Sequence, residues 1–189
     1  YVDDAHGEGV LGKNGRGIVD HFNLAGKVEV EMGTFSKALG SMGGFVAGSS
    51  ELIDLLKQKA RPFLFSSGLN PGDAASVLKS IEIMERDDSL IKKLWNNAER
   101  LQKGLREAGF KLTETKTPIT PVLPGDEKKT LEASRLLYEQ EDIFASPIVF
   151  PTVARGMARI RLMPSAVHST EDIDRTVDAL SEVWKKISH

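Results

Sequence analysis

The sequence predicts an α/β protein built from crossover units, followed by a smaller α+β region. Two observations carry this expectation. Apolar runs rich in β-branched residues alternate with segments of helical period up to residue 88, and from Ser89 onward long amphipathic helices flank short extended runs. A division into residues 1–88 and 89–189 follows.

The elements follow in chain order. "YVDDAH" reads as a strand end, "KVEVEMGT" alternates as a strand, and "GGFVAGS" reads as a second, buried one. "SSELIDLLKQKA" places Leu52, Leu55, Leu56 and Ala60 at helical spacing behind a serine cap. "PFLFSSGLNP" returns to extended chain and stops at Pro71, and "GDAASVLKSIEIMERDD" is helical again. Next comes a long amphipathic helix in "SLIKKLWNNAERLQKGLREAG", from Ser89, with Leu90, Leu94, Leu101 and Leu105 on one stripe and Gly109 placed to close it. It is suited to linking two domains. Beyond it, "PITPVLPGDEKK" reads as a mobile loop from its prolines and charges, "EKKTLEASRLLYEQ" as a helix, "SPIVFP" as extended chain and "MARIRLM" as a strand. A final helix from Thr170 sets Ile173, Val177, Leu180, Trp184 and Ile187 in register.

Composition narrows the function. Hydrophobic residues make up 40% of the 189, charged residues 28%, and the formal net charge is -2, so no basic field invites nucleic acid or an anionic membrane. The lack of cysteine excludes disulfides, thiolate metal sites and a cysteine nucleophile, and suits a reducing, cytoplasmic setting. No run approaches the roughly 18 apolar residues of a membrane helix, and no signal-peptide pattern opens the chain. The start, "YVDDAHGEG", lacks methionine and already reads as a strand end, which suggests a missing N-terminal part.

Two stretches carry chemistry. "GTFSKALGSMGG" sets Lys37 among small residues that leave room for a planar group, while Thr34 and Ser36 offer hydroxyls and the glycines offer N–H groups to a phosphate. A lysine that is to act as a nucleophile must shed a proton, which takes burial or a cationic neighbour. The bland alternative is a solvated surface loop. In "YVDDAH", Asp3, Asp4 and His6 stand at the carboxyl end of a strand, where α/β proteins place ligands. Because side chains alternate along a strand, one aspartate should face a ligand and the other the scaffold, although either alone is also an ordinary cap or turn residue.

"DDAHGEGVLGKNGRG", "GTFSKALGSMGGFVAG" and "ARGMARIRLMPSAVHS", in this order, resemble the α-oxoamine synthases, a pyridoxal-phosphate-dependent family that includes glycine C-acetyltransferase, 8-amino-7-oxononanoate synthase and serine palmitoyltransferase. The resemblance implies the C-terminal part of an aspartate-aminotransferase-like fold of type I. Residues 1–88 would be the end of the cofactor-binding large domain with its mainly parallel sheet, and residues 89–189 the small α+β domain. It further implies that Asp3 pairs with the pyridine nitrogen, His6 bonds the phenolic oxygen, Lys37 forms the Schiff base and Thr34 contacts the phosphate. Ser66 and Ser67 would reach the phosphate of the other subunit of a homodimer, with the choice between them open. Arg161 would bind the carboxylate of the amino acid, whose planar guanidinium suits bidentate capture. Arg155 and Arg159 are expected in structural ion pairs and His168 in a cap or in packing, while His21 and His189 receive no role.

The implied activity joins an amino acid to an acyl-CoA, with glycine and acetyl-CoA as the preferred pair and the 8-amino-7-oxononanoate branch, L-alanine with a pimeloyl thioester, as the alternative. Two other classes compete. A helicase would share "DDAH" as an acidic box, but "GKNGRG" is no phosphate-binding loop and nothing later reads as a motor. A non-catalytic fragment is the second, because the first half of the family's site would lie upstream of Tyr1.

Overall fold

The computed structural model describes residues 1–188 and divides the chain into two compact units, Tyr1–Ile91 and the residues from Lys92 onward. His189 lies outside the described residues. The division falls inside one long helix, three residues beyond the boundary expected at Ser89.

The first unit holds a mixed three-stranded sheet. Strand β1 (Val2–Asp3) runs parallel to β2 (Val30–Thr34), and β2 runs antiparallel to β3 (Gly44–Gly48), in the order β1-β2-β3. Between β1 and β2 lie a 3-10 turn (Lys13–Gly15) and the short helix α1 (Ile18–His21). After β3 come α2 (Ser50–Lys59), α3 (Arg61–Leu64) and α4 (Pro71–Arg86). Ser49 caps α2 by accepting the Leu52 N–H, and Asn70 caps α4 by accepting the Gly72 N–H, with Pro71 in the first turn where its missing N–H costs nothing.

Two expectations for this unit fail. Strand β3, expected to be buried, is exposed throughout: it pairs with β2 alone, and among the described residues no layer of side chains closes over its faces. The stretch after Pro62, expected to be extended, starts with the single helical turn of α3, for which proline near the N-terminus is well suited.

The second unit packs a sheet of order β4-β6-β5 against helices. β4 (Thr120–Gly125) and β5 (Ser146–Ile148) each run antiparallel to β6 (Ala158–Leu162). Helices α6 (Glu127–Glu141) and α7 (Thr170–Ser188) complete it with the greater part of α5 (Ser89–Glu107). Leu101 and Leu105 of α5, Leu137 of α6, Ile160 of β6 and Leu180 and Val183 of α7 form one continuous buried cluster. The α5 stripe begins later than expected, since Leu90 is exposed. At its end Gly109 takes φ 87° and the Phe110 N–H bonds the Leu105 carbonyl, a left-handed closure that glycine adopts without a Cβ clash.

The predicted mobile loop of residues 118–129 is instead ordered structure. Thr120 and Val122 alternate inward from β4, and Asp126 caps α6 by accepting the Lys129 N–H at 2.8 Å. Its prolines are tolerated because β4 is an edge strand, where a missing N–H need break no ladder bond, and the register shifts between Val122 and Gly125, where Pro124 falls. Among the described residues no helix is long and apolar enough to cross a membrane.

Candidate active site

The parallel pairing of β1 with β2 aligns Asp3 with Met32, so the carboxyl ends of these two strands lie side by side. From the end of β1 come Asp3 and His6; from the end of β2 come Thr34, Ser36 and Lys37. Two stretches far apart in sequence are therefore neighbours at the edge of the sheet where α/β proteins carry ligands.

The two aspartates diverge as strand alternation requires. Asp4 is 1% exposed, and its Oδ2 accepts the Ile18 N–H at 2.8 Å. Gly7 and Gly17 make room for it, since a Cβ on either would stand 1.9 Å from an Asp4 carboxylate oxygen. Its Oδ1 is buried without a hydrogen-bond partner. Burial pushes the Asp4 carboxyl above the ordinary range, against the lowering effect of the Ile18 and Gly7 N–H groups. Asp3 is exposed, and its Oδ1 accepts the Ala5 N–H at 3.0 Å. Asp4 thus serves the scaffold and leaves Asp3 available.

Lys37 sits on a closed loop. The Phe35 N–H bonds the Gly43 carbonyl at 2.9 Å, the Ser41 N–H bonds the Phe35 carbonyl at 2.7 Å, and the Gly40 N–H bonds the Lys37 carbonyl at 3.1 Å. Gly40 and Gly43 take φ 63° and 106°, which favour glycine. Ser41 and Leu39 tie the loop to α4, through the Ser41 hydroxyl on Asp73 and the Ser80 hydroxyl on the Leu39 carbonyl. The Thr34 and Ser36 hydroxyls are 2.9 Å apart. Lys37 itself is exposed, where nucleophile chemistry called for burial or a cationic neighbour; small loop residues build no wall around it.

One residue of this neighbourhood was not anticipated. Glu8 accepts the Thr34 N–H at 3.1 Å through Oε2 and so joins the loop after β1 to the end of β2. Burial raises its carboxyl, the Thr34 N–H opposes that, and the charges of Asp4 and Glu31 add to the rise. Nothing in the pattern "HGEG" distinguishes it from a solvated loop acid.

The other predicted residues lie elsewhere. Ser66 and Ser67 are exposed in the stretch between α3 and α4, which carries Leu69 against Gly43. In the second unit, Arg161 of β6 lines a cavity of about 540 Å³ with Phe144, Met163, His168, Asp172 and Arg175, and its Nε is buried without a hydrogen-bond partner. The arginines expected in ion pairs are held otherwise: Arg155 lies 4.3 Å over the Phe150 ring and Arg159 donates to the Met157 carbonyl. His168 Nδ1 accepts the Ser165 N–H, a local turn contact.

Residues 1–180 match the model of the family described as aminotransferase class I and II. An 8-amino-7-oxononanoate synthase of Petrotoga mobilis is 56% identical over 98% of this chain and 47% of its own length. The structure of a serine palmitoyltransferase from Sphingomonas wittichii is 30% identical with a TM-score of 0.92, over 99% of this chain and 47% of that one. A serine palmitoyltransferase from S. paucimobilis, solved with a bound PLP–myriocin aldimine, is 28% identical with a TM-score of 0.92 over the same shares.

The chain belongs to the aminotransferase class I and II family, and the proteins it resembles are α-oxoamine synthases. It spans about half the length of these relatives. Their cofactor is pyridoxal 5'-phosphate, and the residues here fit it. An amine, a carboxylate, an imidazole and two adjacent hydroxyls stand at adjoining strand ends, and among the described residues nothing lies within 4 Å of where a side chain on Gly40 would begin.

Proposed function

We propose that this chain carries the lysine-bearing part of a pyridoxal-phosphate-dependent C-acyltransferase, which joins an amino acid to an acyl thioester. The observation that supports it best is the parallel pairing of β1 and β2, because it gathers Asp3, His6, Thr34 and Lys37 at one sheet edge. Residues 1–88 are then the end of the cofactor-binding domain and residues 89–189 the small domain.

The cofactor, when bound, supplies a protonated ring that withdraws electrons from the α-carbon of an attached amino acid. Lys37 Nζ would hold the cofactor, and its free amine would take up the α-proton of the substrate. Asp3 keeps the ring nitrogen protonated, and its freedom from the scaffold contacts that occupy Asp4 suits it to this role. His6 bonds the phenolic oxygen, and Thr34, with Ser66 or Ser67 of a partner subunit in a homodimer, holds the phosphate. Arg161 pairs with the substrate carboxylate; its unpartnered buried Nε at a cavity wall favours that role. Nucleic acid and membranes have no place in this chemistry, and a cytoplasmic setting suits it.

For the substrates, the names of the relatives favour the 8-amino-7-oxononanoate branch, L-alanine with a pimeloyl thioester, over the glycine and acetyl-CoA pair preferred from the motifs. Incubating the protein and pyridoxal phosphate with each amino acid and each thioester, followed by mass analysis of the product, decides between them. Product with neither pair would exclude both of these substrate assignments.

A further inference from the structure

Glu8 lies outside every role assigned above, yet it is the side chain that ties the Asp3 and His6 loop to the Lys37 loop. Its own backbone is held firmly: its N–H bonds the Asp4 carbonyl, it bridges to Arg16, and the following Gly9 N–H bonds the Gly15 carbonyl at 2.8 Å. From that base the carboxylate crosses to β2, where Oε2 accepts the Thr34 N–H and Oε1 fills the space that a side chain on Gly33 would occupy. A Cβ there would stand 1.6 Å from Oε1, so glycine at 33 and glutamate at 8 fit as a pair.

The contact falls at the root of the lysine loop. Thr34 also bonds the Gly43 carbonyl and the Ser36 N–H through its hydroxyl, so a shift of its backbone reaches both ends of the loop three residues before Lys37. The carboxyl is half-buried among Asp4 and Glu31, charges that oppose its ionisation, and Lys37 is the cation that favours it. An acid kept in such company for one backbone hydrogen bond is costly as mere scaffold.

We propose that Glu8 is a positioning residue for Lys37, setting the lysine loop through the Gly33–Thr34 backbone by the reach of its side-chain oxygen rather than by its charge. This rests on the function proposed above.

Three variants separate reach from charge. Glu8→Gln keeps length and an acceptor oxygen but loses the charge; Glu8→Asp keeps the charge but is one methylene short; Glu8→Ala loses both. Two readings are taken on the protein: hydrogen exchange of the Thr34 amide without cofactor, and the fraction of pyridoxyl label fixed on Lys37 by borohydride at limiting pyridoxal phosphate. Glu8→Asp and Glu8→Ala should exchange Thr34 about tenfold faster and lose label on Lys37 by a similar factor, while Glu8→Gln stays within about twofold of wild type. Should Glu8→Ala fail to fold, the order of the Gln and Asp variants still decides. Wild-type behaviour in Glu8→Asp, or loss in Glu8→Gln alone, overturns the inference. Wild-type protein that takes no label on Lys37 overturns the function and this inference together, whereas label in wild type and equally in all variants overturns this inference only.

Discussion

The two units are held together by different means. In the second, Leu105, Leu137, Ile160, Leu180 and Val183 are 0% exposed and pack into one apolar cluster contributed by three helices and a sheet. In the first, the buried hydrophobic side chains among the described residues are Leu11, Leu39 and Val77, while Phe45, Val46, Phe63 and Phe65 face outward. Order there comes from glycine turns, from carboxylates on backbone N–H groups and from hydroxyls on carbonyls. The contrast teaches where each unit is vulnerable. Removing a side chain from the second costs stability, whereas removing one from the first costs local geometry at the strand ends that carry the candidate site.

The largest expected effect is on chemistry alone. Lys37→Ala should abolish borohydride-stable pyridoxyl label at that position while stability stays within about 0.5 kcal/mol, because the exposed side chain packs against little. Label reappearing at its normal level on another lysine would break both the assignment and the contrast. Next, Leu180→Ala in the second unit should cost about 2–5 kcal/mol in urea unfolding, the loss of a fully buried leucine together with the cavity left behind. Both tryptophans, Trp95 and Trp184, lie in this unit, so their fluorescence follows its unfolding. A smaller loss, about 1–3 kcal/mol, is expected for Asn97→Ala, which strands the Ser165 and His168 carbonyls that the amide now bonds.

Acidity should separate the units further. Asp4, Glu8 and Glu31 in the first are raised above their ordinary values, mainly by burial, so their contribution is complete below those values and is lost as pH rises through the raised ones. Glu132, Asp172, Asp174 and Glu182 in the second are lowered by hydrogen bonds to Arg135, to the Ser169 N–H, to Arg100 and to Lys185, so their contribution is lost as pH falls. Glu51 and Glu82 oppose the trend in the first unit, from exposed positions. The protection factors of β1 and β2 amides, which remove the intrinsic pH dependence of exchange, should therefore rise in mildly acidic solution, and Asp4→Asn should flatten that response. The smallest effect belongs to the half-exposed ion pair of Arg100 with Asp174, where Arg100→Met should change stability by no more than about 1 kcal/mol despite two contacts of 2.6 Å.

Most helices were legible because their signals are local. The serine cap of α2, the stripe of α7 and Gly109 after α5 are each set within a few residues. The errors fall where a neighbour decides. Residues 120–125 look like a proline loop until β6 pairs with them, and 44–48 look like a buried strand until the sheet ends there. Glu8 gave no sign of itself, since its partner is 26 residues away.

By itself the sequence determined the helix periods, the motif order that matches the aminotransferase class I and II family, and the residue types available for chemistry, because each is a property of neighbouring positions. Tertiary structure alone decided that Asp4 is taken by Ile18 while Asp3 is left open, that Glu8 holds Thr34, and that β3 and Lys37 stand exposed. Burial and hydrogen bonding depend on what packs across the chain, and no local pattern encodes that.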